Sequence, residues 1–356
     1  MIQDRYSRQT SLAGFGAIKQ AKLAEGRILV VGLGGLGLPV VQYLNAMGAG
    51  TIGLVDQDVV ELHNLQRQVL YNEHDIGRQK LDTVVERLKA QNSTTGLKVF
   101  DTFLTVGNAL EIISGFDVVV DATDNFATRY LINDACVILD KPFVYGALHG
   151  YEGQVSVFNY QNGPTYRCLF PDMPSESEIP NCDENGVLGV VPGIIGTLQA
   201  FETVKVLTGI GNVLSGTLLL YNGLDQATRR ISFKANPENK KISQLLHSYG
   251  HSECVAITTL SAEQFRSIHT ENHDIQLIDV RSPEEYAPYH LDRAINIPLP
   301  QLDGALDQLD FEKPLYLICQ SGKRSAIALR KIKERYPDAP CYHISGGVNK
   351  MMALCR

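Results

Sequence analysis

The sequence predicts an α/β protein: a larger domain built on a mostly parallel sheet, then a smaller α/β domain. Three stretches carry the prediction. Residues 27–60 run strand, glycine loop, helix, strand and acid, in that order. Residues 116–125, FDVVVDATDN, read as a further parallel strand buried on both faces. Residues 315–325, LYLICQSGKRS, set a cysteine where a strand gives way to a helix.

Length and composition fit two or three domains. The chain has 356 residues, 44% hydrophobic and 20% charged, enough apolar material for a full core. A net charge of −7 disfavours a nucleic-acid partner. No apolar run reaches membrane-spanning length, and MIQDRYSRQT lacks the apolar centre of a signal peptide. The seven cysteines (136, 168, 182, 254, 319, 341, 355) are odd in number and scattered, a pattern of reduced thiols rather than a disulfide framework. A cytoplasmic protein with no membrane partner is expected.

Residues 1–25 read as polar helix with a turn at Gly14-Phe15-Gly16, and composition alone makes Arg5 and Arg8 solvated surface charges. Residues 28–31 are a short apolar, β-branched strand. Gly32-Leu33-Gly34-Gly35-Leu36-Gly37 then satisfies G-x-G-x-x-G. Glycines there let the backbone turn sharply and approach phosphates, and the helix behind them, residues 38–47, offers free N–H groups to an anion. Residues 51–55 form the next strand. Asp56 follows at the offset of a carboxylate that binds ribose hydroxyls. The loop predicts a nucleotide without naming it, and on the loop alone an NAD-dependent dehydrogenase is the ordinary reading.

Residues 57–68 are polar and irregular. Lys80 opens a helix over 81–91, where a cation opposes the helix dipole; with Arg67 it makes sense if both face a polyanion. A strand near 97–100 and a helix over 108–114 follow. The strand at 116–125 ends in Asp121, Asp124 and Asn125. Ligands of open α/β sheets lie beyond the carboxyl ends of strands, so these residues point to the glycine-loop crevice. Asp124 suits the Mg²⁺ of a bound triphosphate. It also suits the N-cap of a helix over 125–139, with Asp121 and Thr123 as other cap candidates.

RYSRQ (5–9), GLGGLG, LVDQD (54–58), HNLQRQ (63–68), GRQK (77–80) and DATDN (121–125) together resemble the MoeB/ThiF family over residues 6–233. These are ubiquitin-activating-type enzymes that adenylate the C-terminus of small sulfur-carrier proteins. The resemblance implies a Rossmann-like adenylation domain, ATP with Mg²⁺, a ubiquitin-like carrier of MoaD or ThiS type as partner, and a homodimer. It implies that Gly32, Gly34, Gly35, Gly37, Asp56, His63, Asn64, Leu65, Gln66, Arg67, Lys80, Asp124 and Asn125 hold the nucleotide. Arg67 and Lys80 would offset charge on the phosphates, Asp124 would carry Mg²⁺, and Arg8 would reach in from the other subunit. Cys182, in a loop over 172–184, matches the cysteine implicated in thioester or persulfide chemistry. The family usually carries a four-cysteine zinc site. Here TYRC (165–168) keeps one cysteine and NPENKK (236–241) none, so no structural zinc is expected and Cys168 is expected to be a buried remnant.

The expected boundaries are 1–235 for the first domain, 236–254 for a polar linker with a short helix over 242–248, and 255–356 for the second domain. That domain reads as helix 259–269, strand 275–281, a helix capped by Ser282 with Pro283 at its first position, strand 315–319, helix 326–336, strand 342–345 and a short terminal helix. Cys319 sits at a helix N-terminus beside Lys323 and Arg324, a setting that favours a thiolate or persulfide anion. The C-x-x-G-x-R-S loop, IDVRSPEEY and HLDRAINIP resemble a rhodanese; a phosphate cradle of tyrosine-phosphatase type is the alternative for the loop. The resemblance implies a smaller α/β rhodanese domain in which Cys319, with Arg324 in its cradle, takes sulfur from a donor such as a cysteine desulfurase or thiosulfate.

The two resemblances together imply adenylation of a carrier's C-terminal glycine and then sulfur transfer from a Cys319 persulfide. The product is a thiocarboxylate of the molybdopterin or thiamine type of pathway. An NAD-dependent oxidoreductase with an appended rhodanese domain predicts NAD binding and no carrier. A conjugation-type activating enzyme predicts a thioester at Cys182 and no need for Cys319. A non-catalytic scaffold would be expected to lose Arg67, Lys80 or Asp124, and all three are present.

Overall fold

The computed structural model describes residues 5–174, 186–249, 258–271, 275–311, 313–336 and 339–354. The chain divides into two compact units, Met1–Tyr249 and Gly250–Arg356.

The first unit begins with α1 (Ser7–Thr10), α2 (Gly16–Glu25), β1 (Arg27–Val31), α3 (Gly37–Ala46), β2 (Thr51–Asp56), α4 (Lys80–Gln91), β3 (Gly96–Asp101), α5 (Ala109–Ser114), β4 (Val118–Asp121) and α6 (Phe126–Ile138). It continues with β5 (Phe143–His149), β6 (Glu152–Phe158), α7 (Tyr166–Leu169), α8 (Val190–Thr208), β7 (Thr217–Asn222) and β8 (Ala227–Ser232). One sheet runs β3-β2-β1-β4-β5-β6-β7-β8. It is parallel from β3 to β5 and antiparallel beyond.

The central strands are apolar along their middles because helices cover both faces. Ile28 and Val30 join a core with residues of α3 and α8, while Leu29 and Val31 face α5 and α6. Strand order reverses between β1 and β4, which opens a crevice at their carboxyl ends.

Three sequence expectations change here. The first concerns apolar length: α8 has 19 residues and is long and apolar enough by composition to cross a membrane. Half of its length is buried within the protein, and it packs on α3, β5 and β6 as a core helix does. The second concerns the cap of α6. Asn125 supplies it, its side-chain oxygen accepting from the Thr128 N–H at 2.9 Å. Asp121 cannot, because it is the buried last residue of β4 and its Oδ1 accepts from the Thr123 N–H and hydroxyl. The third concerns residues 236–249, which hold a 3₁₀ turn at Pro237–Lys240 and no helix over 242–248. Their end is fixed by burial of Tyr249, whose hydroxyl donates to Asp134 at 2.8 Å.

The second unit contains β9 (Thr259–Leu260), α9 (Ala262–Glu271), β10 (Gln276–Asp279), α10 (Pro283–Tyr286), β11 (Ala294–Asn296), α11 (Leu302–Ala305), β12 (Leu315–Ile318), α12 (Lys323–Arg335), β13 (Cys341–Ile344) and α13 (Gly347–Ala353). Its sheet runs β11-β10-β12-β13-β9, with every pair parallel. The expected helix over 259–269 begins later. Thr259 and Leu260 pair with His343 and Ile344 as an edge strand, and Ser261 caps the helix by exchanging bonds with Gln264.

Candidate functional site

The first site is the crevice over β1, β2 and β4. Gly32 turns with φ +95°, and a Cβ on it would lie 2.8 Å from the Ala122 carbonyl oxygen. A Cβ on Gly37 would meet the Gly32 carbonyl oxygen at 1.9 Å, so the loop closes on itself only with glycine at both places. Gly34 lies over the Gln68 amide and Gly35 beside Pro192 and the Arg67 stem. Asp56 pins the loop: its carboxylate accepts from the Leu33 N–H at 2.7 Å and the Asp58 N–H at 2.8 Å. Burial raises its carboxyl above the ordinary range, opposed by the Lys80 ammonium and those two N–H groups.

Lys80 is buried at the first position of α4, and its ammonium donates to Asp58 at 2.8 Å. That pairing explains how a cation is tolerated at a helix N-terminus. The Arg67 guanidinium donates to the His63 carbonyl at 3.0 Å. His63 is exposed and paired with Glu61, and its ring meets the Asn64 amide at 3.1 Å. Asn64 is buried, Leu65 packs on the core, and the Gln66 carbonyl lies against Gly189. Asp124 and Asn125 follow β4 at the crevice edge. Among the described residues no hydrogen bond or ion pair engages the exposed Asp124 carboxylate, so its oxygens remain available to a hard cation.

Arg8 is not brought to the crevice of its own chain. Gln9, next to it, donates to the Met47 carbonyl at the far end of α3. That helix spans 10 residues, about 15 Å, from the glycine loop. Cys182 lies outside the described residues. Sequence reasoning overlooked three supports. Asp58 was visible only as part of LVDQD. Tyr71 donates to the Leu33 carbonyl at 3.0 Å. Gln68, whose side-chain nitrogen lies beneath Gly34, has a buried Oε1 with no hydrogen-bond partner among the described residues. The last two show only when the loop is folded over them.

Cys168 corrects the expectation of a buried remnant: it is half-buried. Its sulfur accepts from the Asn236 N–H at 3.2 Å, the Thr165 N–H at 3.4 Å and the Asn239 amide at 3.6 Å. Burial alone would raise this thiol, but those donors and the Thr165 hydroxyl together hold it below its ordinary value. The two loops that would carry a cysteine pair each thus meet on a single sulfur surrounded by N–H donors. One thiol and backbone amides do not make the donor set of a structural zinc.

The second site lies where β12 gives way to α12. Cys319 is buried, and the Gly322 N–H donates to its sulfur at 3.2 Å. Gly322 stands at the N-terminus of α12 with φ +92°. Behind the loop, buried Arg281 makes three bonds of 2.7–3.0 Å to Asp279 and donates to the Gln320 side chain at 2.9 Å. Arg324 is clamped by Glu285, two bonds of 2.6 Å each, and the Lys323 side chain lies outside the described ones. That clamp holds the Glu285 carboxyl down at about 2. Sequence reasoning named Arg324 without its clamp, although SPEEY contained it.

Comparison with known proteins joins the two sites. The ThiF family pattern matches residues 6–243 and the rhodanese-like domain pattern residues 261–354. The chain is 38% identical over 370 residues to "Adenylyltransferase and sulfurtransferase MOCS3" of Drosophila persimilis, covering 97% of this chain and 82% of that one. It is 37% identical over 360 residues to "Probable adenylyltransferase/sulfurtransferase MoeZ" of Mycobacterium tuberculosis H37Rv, covering 97% and 91%. Among solved structures, Escherichia coli MccB with MccA-N7isoASN superposes with a TM-score of 0.61 at 21% identity, covering 68% of this chain and 75% of that chain, a likeness of fold.

Proposed function

The chain belongs to the ThiF family and carries a rhodanese-like domain after it; from that premise we propose that it adenylates the C-terminal glycine of a ubiquitin-like sulfur carrier and then loads sulfur on it. The observation that carries the reading is one chain holding both chemistries. A glycine crevice has an unengaged carboxylate at its edge, and a cysteine sits under a helix N-terminus. Relatives named for both activities match over 97% of the chain. The dehydrogenase reading is not favoured, since neither domain family is an oxidoreductase.

ATP is the co-substrate. An oxygen of the carrier's carboxylate attacks the α-phosphorus, a P–O bond forms, and pyrophosphate leaves with the electron pair. This makes an electrophile of an otherwise unreactive carboxylate, with AMP as the later leaving group. The N–H groups behind the glycine loop and the cations Arg67 and Lys80 meet the phosphates, and Asp56, Asn64 and Asn125 orient the nucleotide. Mg²⁺, held by Asp124, would neutralise phosphate charge. Arg8 would serve the crevice of a second copy. A homodimer would cover Ile18 and Phe201, exposed large apolar side chains on two helices, α2 and α8, that are neighbours in the fold.

The Cys319 thiolate attacks the outer sulfur of a persulfide or thiosulfate donor, and the donor's thiolate or sulfite leaves. The terminal sulfur of the resulting persulfide attacks the adenylate carbonyl and AMP leaves. A thiol then attacks the Cys319 sulfur and releases the carrier thiocarboxylate. Cys182 is our candidate for that thiol, and an external dithiol would reduce the disulfide left behind. Scattered free cysteines support a reducing, cytoplasmic setting for these steps.

Purified protein, a carrier ending in Gly-Gly, ATP, Mg²⁺, thiosulfate and a dithiol should give a carrier whose mass shows one oxygen replaced by sulfur. An unchanged carrier together with tight NAD binding would contradict the reading.

A further inference from the structure

A buried polar cluster of the second unit lies behind Cys319, and the reaction as written does not use it. Ser325, fully buried on α12, has its hydroxyl 3.7 Å from the Cys319 sulfur and 2.9 Å from the Gly322 carbonyl oxygen. Its third neighbour is Nδ1 of His343 on β13, at 3.5 Å. The Nε2 of the same imidazole is 3.1 Å from the Thr259 hydroxyl on β9. His343 is itself buried, flanked in the sheet by Leu317 and Thr259, with Arg330 of α12 as the charged group that reaches it.

Valence fixes how these groups are used. A serine hydroxyl has one proton and two lone pairs. The shortest contact takes the proton to the Gly322 carbonyl. The lone pairs then accept from the Cys319 thiol and from Nδ1–H of His343. That assigns the tautomer, since Nε2 is left as acceptor for the Thr259 hydroxyl. Burial, with Arg330 adding to it and a hydrogen bond to the Gly322 backbone opposing, lowers the imidazole below its ordinary value, which favours the neutral form.

We propose that Ser325 is a hydroxyl switch for Cys319 and that His343 is the positioning residue that lets it turn. When the thiol loses its proton, the Ser325 O–H rotates from the Gly322 carbonyl to the sulfur anion. It joins the Gly322 N–H as a second donor. The carbonyl left behind can be met by His343, whose imidazole the Gly322 backbone already favours in its charged form, so no buried acceptor is stranded. The same two donors receive the sulfur anion again each time the outer sulfur leaves. The inference rests on Cys319 being the sulfur-accepting nucleophile.

The test uses the full chain, with thiosulfate–cyanide sulfurtransfer and peptide-resolved alkylation of Cys319 followed against pH. In the assay Cys319 takes the outer sulfur of thiosulfate and sulfite leaves; cyanide then removes that sulfur as thiocyanate and restores the thiolate. Ser325→Ala should slow both readouts about tenfold near neutral pH, as expected for one lost bond to an anion. Alkylation should recover in strong alkali, where the thiol ionises unaided. His343→Leu should behave likewise. His343→Asn, whose amide can donate where Nδ1 did, should regain most of the loss. Cys319-dependent transfer unchanged in Ser325→Ala and both His343 variants would overturn the proposal, as would a loss equal at every pH. If His343→Leu does not fold, the Ser325→Ala and His343→Asn pair decides. Wild-type protein lacking transfer that depends on Cys319 would instead fail the sulfurtransferase reading.

Discussion

Asp56 ends β2 and Asp124 lies three residues past the end of β4, the two strands that flank β1, and their partners give them different work. Both oxygens of Asp56 hold backbone N–H groups, so its first role is to keep the glycine loop closed. Asp124 has no such engagement among the described residues. Asp124→Asn should therefore abolish carrier-dependent ATP–pyrophosphate exchange while leaving the thiosulfate–cyanide reaction and the melting temperature near wild type. Asp58→Asn should raise the KM for ATP more than it lowers kcat, because it frees the Lys80 ammonium from its 2.8 Å anchor; steady-state exchange kinetics separate the two. Asp56, Lys80, Asp124 and Cys319 were legible because each lies inside a short motif whose spacing is its signal. Cys168 was misread because its environment comes from Asn236 and Asn239, remote in sequence. Ser325 lay inside a legible motif, but the His343 that serves it is brought over by a different strand.

At the scale of elements, alternating strand and helix signals placed the sheets, and the errors fell at edges. Thr259 and Leu260 read as helix because two residues carry no period; only pairing with β13 makes them a strand. The glycine loop joins β1 to α3 through a contact that no side chain could share. Gly37→Ala should remove nucleotide binding and cost about 1–3 kcal/mol of first-unit stability, measured by denaturant titration. In the second unit, α10 delivers Glu285 to Arg324. A carboxyl held down at about 2 stays charged above the ordinary range, and its contribution is lost only as pH falls toward that value. The pair should thus stay intact through the neutral range, and Glu285→Gln should raise the KM for thiosulfate at every pH from about 5 to 8.

For the whole molecule, the order of two activities on one chain was readable because each unit carries its own motif set, one before residue 126 and one from residue 278 onward. Less legible was the stretch after β8: of the expected linker over 236–254, the described residues 236–249 belong to the first unit and end on a tyrosine buried against Asp134. Because the Cys168 cluster ties its loops without a four-thiolate site, a strong chelator should leave the melting temperature unchanged. Stoichiometric zinc in metal-replete protein would count against that. The most direct test of the account is ATP–pyrophosphate exchange with purified protein and a panel of small carriers ending in Gly-Gly, run beside the Cys319→Ala variant. The account predicts exchange that requires a carrier, is undiminished in Cys319→Ala, and is absent in Asp124→Asn. Exchange lost in a folded Cys319→Ala protein would contradict the division of labour, and no exchange with any carrier would contradict adenylation itself.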